Sequence, residues 1–163
     1  AKQTYETTAV ATQKGGYLLS ATTLGMAVAT IVVAFQHAGD ERRVLTITGL
    51  LAAPFVLLIP FVPLPMMMLS AFVAASLYFV GVPSAISLSH RLLPHATGMT
   101  GSLLMGAGWV LSALGPFVGE KIVNHAGENG LHLAFAFMAL MLVLSGVAGF
   151  LLDPHLIKNT PDH

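Results

Sequence analysis

Charge is scarce in this chain: of its 163 residues only 9% are Asp, Glu, Lys or Arg, seven basic against seven acidic. A soluble domain carries about 25%, because its surface has to be wetted. The hydrophobic content of 55% and mean hydropathy of +0.80 make the same point from the other side. Much of the surface therefore faces lipid rather than water. A formal net charge of zero leaves no basic stripe for nucleic acid. Cysteine is absent, which excludes disulfides, thiolate nucleophiles and cysteine-ligated metals.

What the sequence does contain is long apolar runs, at approximately 16–35, 44–62, 65–88, 98–119 and 131–152. Each is close to the roughly 20 residues with which a helix crosses about 30 Å of hydrocarbon. Barrel strands would alternate apolar and polar residues over about ten positions; these runs are continuous. Every Asp, Glu, Lys and Arg falls outside them. The pattern predicts an all-α integral membrane bundle of five transmembrane helices joined by short loops. A polar, Thr-rich segment at 1–15 precedes it and a polar tail at 153–163 follows. Segment 1–15 lacks the apolar core of a signal peptide and is expected to stay in the mature protein, Ala1 being compatible with loss of an initiator Met.

Orientation is read from Lys and Arg. One face carries Arg42, Arg43, Arg91 and Lys158, the other Lys2, Lys14 and Lys121. This bias favours a cytoplasmic C-terminus, in what is expected to be a bacterial inner membrane.

Helices in lipid associate where small residues let backbones approach. Ala21, Gly25 and Ala29 form one such stripe. The fourth run has two, Gly101, Gly108, Ser112, Gly115 and Gly119 on one line and Gly98, Ser102 and Gly106 on another. Two small faces predict a helix wedged between two neighbours. Pro54, Pro60, Pro83 and Pro116 are expected inside helices as kinks, serving packing or movement.

Chemical candidates are few. No ionisable residue lies inside a run, so the chain supplies no proton-coupling carboxylate of its own. The loop histidines His37, His90 and His95 lie on one face and His125 and His132 on the other. None shows the spacing of a metal site. They read as solvated residues, with a pH-sensitive contact or a pigment ligand as alternatives. No metal and no cofactor is called for. Met66, Met67 and Met68 read as lipid-facing filler, with an apolar pocket as the alternative. Trp109 sits mid-helix rather than at an interface, which makes it the candidate for lining a shared cavity, core packing being the alternative. No catalytic constellation or phosphate-binding loop is present, and enzymatic activity is not expected.

The stretch HRLLPHATGMTGSLLMGAGWVLSALGP, residues 90–116, resembles the region between the tenth and eleventh helices of major facilitator superfamily transporters, most closely the fosmidomycin-resistance type of efflux protein. Leu92, Leu93, Pro94, Gly98, Met99, Gly106 and Gly115 fall in step with it. VLTITGLLAAPFVLLIPF, residues 44–61, is similar to the ninth helix. The resemblance covers residues 15 to about 155 and implies helices eight to twelve of a twelve-helix fold. The family's latch loop carries Asp-Arg-x-Gly-Arg-Arg. Here His37 stands in place of the Asp and Asp40 in place of the Gly, while Arg42 and Arg43 are retained, a degenerate remnant.

The resemblance implies the C-terminal part of a secondary transporter for a small, amphiphilic solute. Such transporters bind substrate between two halves, so this part is not expected to transport alone. The alternative is a transporter-derived, non-transporting subunit of a photosynthetic, respiratory or other membrane complex. Either way the partners are the bilayer and other transmembrane chains.

Overall fold

The computed structural model describes residues 2–35 and 41–152, with side chains described at 12–35, 41–127 and 129–152. The described residues contain no strand. They form five long helices: α1 (Lys2–Val33), α2 (Glu41–Leu58), α3 (Leu64–Leu92), α4 (Thr97–Ala126) and α5 (Gly130–Leu151). All five are long and apolar enough to cross a membrane. Three short 3-10 turns, at Ile59–Phe61, Pro94–Ala96 and Gly127–Asn129, lie between the last four helices.

The helices run past the apolar stretches because a helix satisfies its own backbone bonds in lipid and interface alike. α1 continues back through the polar stretch to Lys2, and α2 takes in Glu41, Arg42 and Arg43 ahead of the apolar run. Pro60 differs from expectation. It lies in the 3-10 turn that ends α2 rather than inside a helix, where its missing N–H removes no α-helical bond. Pro54, Pro83 and Pro116 are within helices. Pro65 opens α3, where a helix tolerates it best.

Among the described residues α3 packs between α1 and α2, and α2 packs between α3 and α5. The α1–α3 contact is made by the small stripe: Ala21, Gly25 and Ala29 are all buried, and the Gly25 backbone lies tight against the carbonyl oxygen of Phe72. The α2–α5 crossing brings glycine backbones together from both sides. A Cβ on Gly49 would stand 2.9 Å from the Gly146 nitrogen, and one on Gly146 would stand 3.0 Å from the Leu50 nitrogen. Gly149 repeats the contact one turn on, against Thr46 at 3.2 Å. The core beneath is small, with Ala53 and Val56 of α2, Ala74 of α3 and Ala139 of α5.

Polar side chains in these helices are satisfied locally. Thr48 donates to the Val44 carbonyl at 2.7 Å, Ser76 to Phe72 at 2.8 Å and Thr46 to Arg42 at 3.0 Å. Each hydroxyl closes on its own helix, so none is left bare in hydrocarbon.

α4 stands apart. It touches α3 and α5 but neither α1 nor α2, and only Thr100 is buried along it. None of its most apolar stretch is buried, against 17–33% in the other four helices. Among the described residues its glycine faces are open: a Cβ at Gly98, Gly106, Gly108, Gly115 or Gly119 would meet nothing within 4 Å.

Gly49→Val and Gly146→Val should each destabilise the bundle by about 1–3 kcal/mol, the usual cost of forcing atoms into a filled contact. Gly108→Ala, in open space, should cause no loss. Unfolding in mixed micelles followed by circular dichroism measures all three. Equal behaviour of the valine and alanine variants would contradict the assigned crossing.

Candidate functional site

The head of α2, the end of α3 and the end of α5 meet at one end of the bundle, where Glu41, Arg42 and Arg91 make their contacts. Glu41 is 7% exposed. Its Oε1 accepts a hydrogen bond from the Ser87 hydroxyl at 3.1 Å, and Arg91 reaches both carboxylate oxygens, at 3.4 and 3.3 Å. Arg42, the next residue, turns to the other neighbour. Its Nε donates to the Gly149 carbonyl at 3.4 Å, its Nη2 donates to the Phe150 carbonyl, and its guanidinium lies 5.6 Å over the Phe150 ring.

Helix geometry explains the division of labour. Consecutive residues point about 100° apart around a helix, so Glu41 faces α3 and Arg42 faces α5. Arg43 is exposed. The signs also suit the helix ends. An acid sits in the first turn of α2, while cations sit at the last turns of α3 and α5, each beside the partial charge it complements.

One turn further into the bundle, a cavity of about 140 Å³ opens between the same three helices. Thr48, Tyr78 and Ser145 bring hydroxyls to its wall, Leu45 and Leu142 apolar surface, and Gly49 and Gly81 flat backbone. No charged side chain lines it. It is suited to a small neutral group or a few waters, with the Glu41–Arg91 and Arg42 contacts above it.

The residues singled out in the sequence divide between this site and the rest. His37 and Asp40 lie outside the described residues, as does the tail beyond Leu152. Arg42 belongs to the cluster; Arg43 flanks it. Leu93 ends α3 and Pro94 starts the following 3-10 turn. Gly98, Gly106 and Gly115 lie along exposed α4, as does Ser112. Trp109, in the middle of α4, is 74% exposed and does not line the cavity. Gly101 alone of its stripe has a close neighbour, the His90 imidazole at 3.1 Å from its Cβ position. His132 meets Phe61 in a tilted ring contact with centroids 4.7 Å apart, and His125 approaches the Lys121 carbonyl at 3.0 Å. Among the described residues no three His, Asp or Glu side chains converge as metal ligands would.

Glu41, Ser87 and the pairing role of Arg91 were missed by sequence reasoning. A signal existed: Glu41 is an acid at the start of an apolar run and Arg91 a base at the end of the next, which an antiparallel pair brings to the same end.

Arg91→Leu should cost about 1.5–3 kcal/mol, the scale of a hydrogen bond to a charged group, because it strands a buried carboxylate. Glu41→Gln should cost less, since the amide still accepts from Ser87 and Arg91. Arg42→Lys should fall short of wild type, as an ammonium lacks the planar fork that spans two carbonyls. Thermal unfolding in detergent ranks the three; a Glu41→Gln loss larger than that of Arg91→Leu would refute the argument.

Comparison with known proteins returns one family. The sequence matches the family model described as Major Facilitator Superfamily over residues 5–163. Neither curated proteins nor solved structures gave a match. With five membrane-length helices and a family match across almost its whole length, the chain belongs to the Major Facilitator Superfamily, a family of membrane transporters.

Proposed function

We propose that the chain forms the C-terminal part, helices eight to twelve, of a facilitator-superfamily efflux transporter for a small amphiphilic solute, and that it works only with further transmembrane helices. The observation that carries this reading is α4. It is a membrane-length helix with two small-residue faces and only Thr100 buried. Transporters of this kind bind substrate between two helical halves; five helices supply one wall of such a site. Gly108, Ser112 and Gly119 of the stripe then pack against the partner helices, Gly101 being taken up by His90, and Trp109 faces the space shared with them.

A second reading, a transporter-derived accessory subunit of a larger membrane complex, draws support from the latch loop, where His37 replaces the family's Asp, and from the lack of ionisable residues in the apolar runs.

Native mass spectrometry of the chain extracted in mild detergent should find it bound to a chain that completes a facilitator fold. Reconstituted with that chain it should move solute, and alone it should not. Recovery with a redox or photosynthetic assembly, with solute resistance unchanged on deletion, would favour the accessory reading. A stable monomer that transports alone would overturn both.

The Arg42, Arg43 and Arg91 end is assigned to the cytoplasm, with the C-terminus beside it. In this cysteine-free chain, Glu120→Cys should react with a membrane-impermeant maleimide added to intact cells, and Arg43→Cys only after the cells are opened. The reverse pattern would invert the topology.

A further inference from the structure

His90 occupies the last turn of α3. Its Nε2 is buried and has no hydrogen-bond partner among the described residues. The imidazole lies against α4 at Gly101, where a Cβ would stand 3.1 Å from Nε2 and 3.8 Å from Cε1. The one buried residue of α4, Thr100, is next in the chain. This is where the first turns of α4 rest on α3. At the other end α4 is held by the turn into α5, where Gly130 presses on the Val123 backbone and Gly127 has φ of 58°.

We propose that His90 is a proton-operated catch: when it is neutral the N-terminal turns of α4 close on α3, and when it is protonated they swing away about the Gly127–Gly130 turn. An imidazolium donates from both ring nitrogens. At Nε2 that places a cationic N–H in a dry contact with no acceptor, an arrangement proteins relieve by letting the group reach water. The movement that exposes Nε2 is separation of Gly101 from His90.

The charged and titratable groups at this end lie on several elements. At this end α2 presents Glu41, Arg42 and Arg43, α3 presents Arg91, and the 3-10 turn presents His95. α4 carries no titratable group before Glu120, α5 carries only His132 near its opposite end, and α1 none after Tyr17. Glu41, the carboxylate among the described residues at this end, is engaged by Arg91 and Ser87.

Absence of cysteine makes the test direct. Leu103→Cys on α4 and Leu144→Cys on α5, 67% and 51% exposed, take spin labels for distance measurement in lipid nanodiscs. Between pH 8 and pH 5, the range in which histidines change charge, a longer-distance population should appear. It should be missing in His90→Gln or His90→Phe, whichever keeps the parent distance at pH 8, and retained in His95→Gln. Distances that ignore pH in the parent, or a response that survives replacement of His90, would overturn the proposal. No substrate or partner is needed, so this outcome is independent of the transporter reading.

Discussion

Backbone contact at glycine is the interaction on which the bundle depends. Lipid tails solvate leucine as well as another helix does, so apolar surface alone gives two helices no reason to meet. Gly49, Gly146 and Gly149 supply the reason by bringing the α2 and α5 backbones together, with Thr46 and Leu50 filling the remaining space. Many weak dispersion contacts are gained at once when main chains meet without side chains between them. Ala21, Gly25 and Ala29 do the same for α1 on α3, and with α2 against α3 they give the spatial order α1, α3, α2, α5.

The polar end of the bundle follows from that crossing. Arg42 reaches the Gly149 and Phe150 carbonyls only because Gly149 holds the end of α5 close to Thr46. Those carbonyls lie where an α-helix ends and its own donors run out, so a guanidinium there is both a cap and a crosslink. The Glu41 contacts with Ser87 and Arg91 do the equivalent for α3. Three helix ends are thereby fastened by two adjacent residues of α2. The cavity below lies in the same three-helix junction, with the backbones of Gly49 and Gly81 in its wall.

Much of the architecture was legible because apolar runs of membrane length have few alternatives. The helices, their number and their alternating direction came from continuity of Leu, Val, Ala and Phe between charged ends. Helix limits did not, since backbone bonding continues through Glu41 at one end of α2 and stops at Pro60 at the other, for reasons hydropathy does not register. Small-residue stripes were visible, but not which would be filled inside the chain. The stripe on α4 is longer than that on α1, yet α1 closes on α3 and α4 faces outward. A stripe says how near a helix can come; the partner depends on what stands opposite. Gly146 and Gly149, which no stripe in the sequence singled out, make a backbone contact because Gly49 and Thr46 face them. The Glu41–Arg91 pair was hidden for a related reason: 50 positions separate the two residues, and only the antiparallel pairing of α2 and α3 joins them.

α4 differs from its neighbours in what fixes its position. A helix in lipid with unsatisfied polar groups would be driven to a partner by hydrogen bonding, but the Ser102 hydroxyl donates to the Gly98 carbonyl and Thr100 to Ala96 and Thr97, all within the same segment. No such demand ties the middle of α4 to the bundle, and its glycine faces are left open to another backbone. Its placement is thus decided at its two ends, by the His90–Gly101 contact and by the turn from Gly127 to Gly130. A 30-residue helix that pivots at its C-terminal turn moves most at its N-terminal turns and carries part of that displacement to its middle. Its exposed middle, with Trp109 at the centre, is where that displacement would be felt by whatever lies beside it.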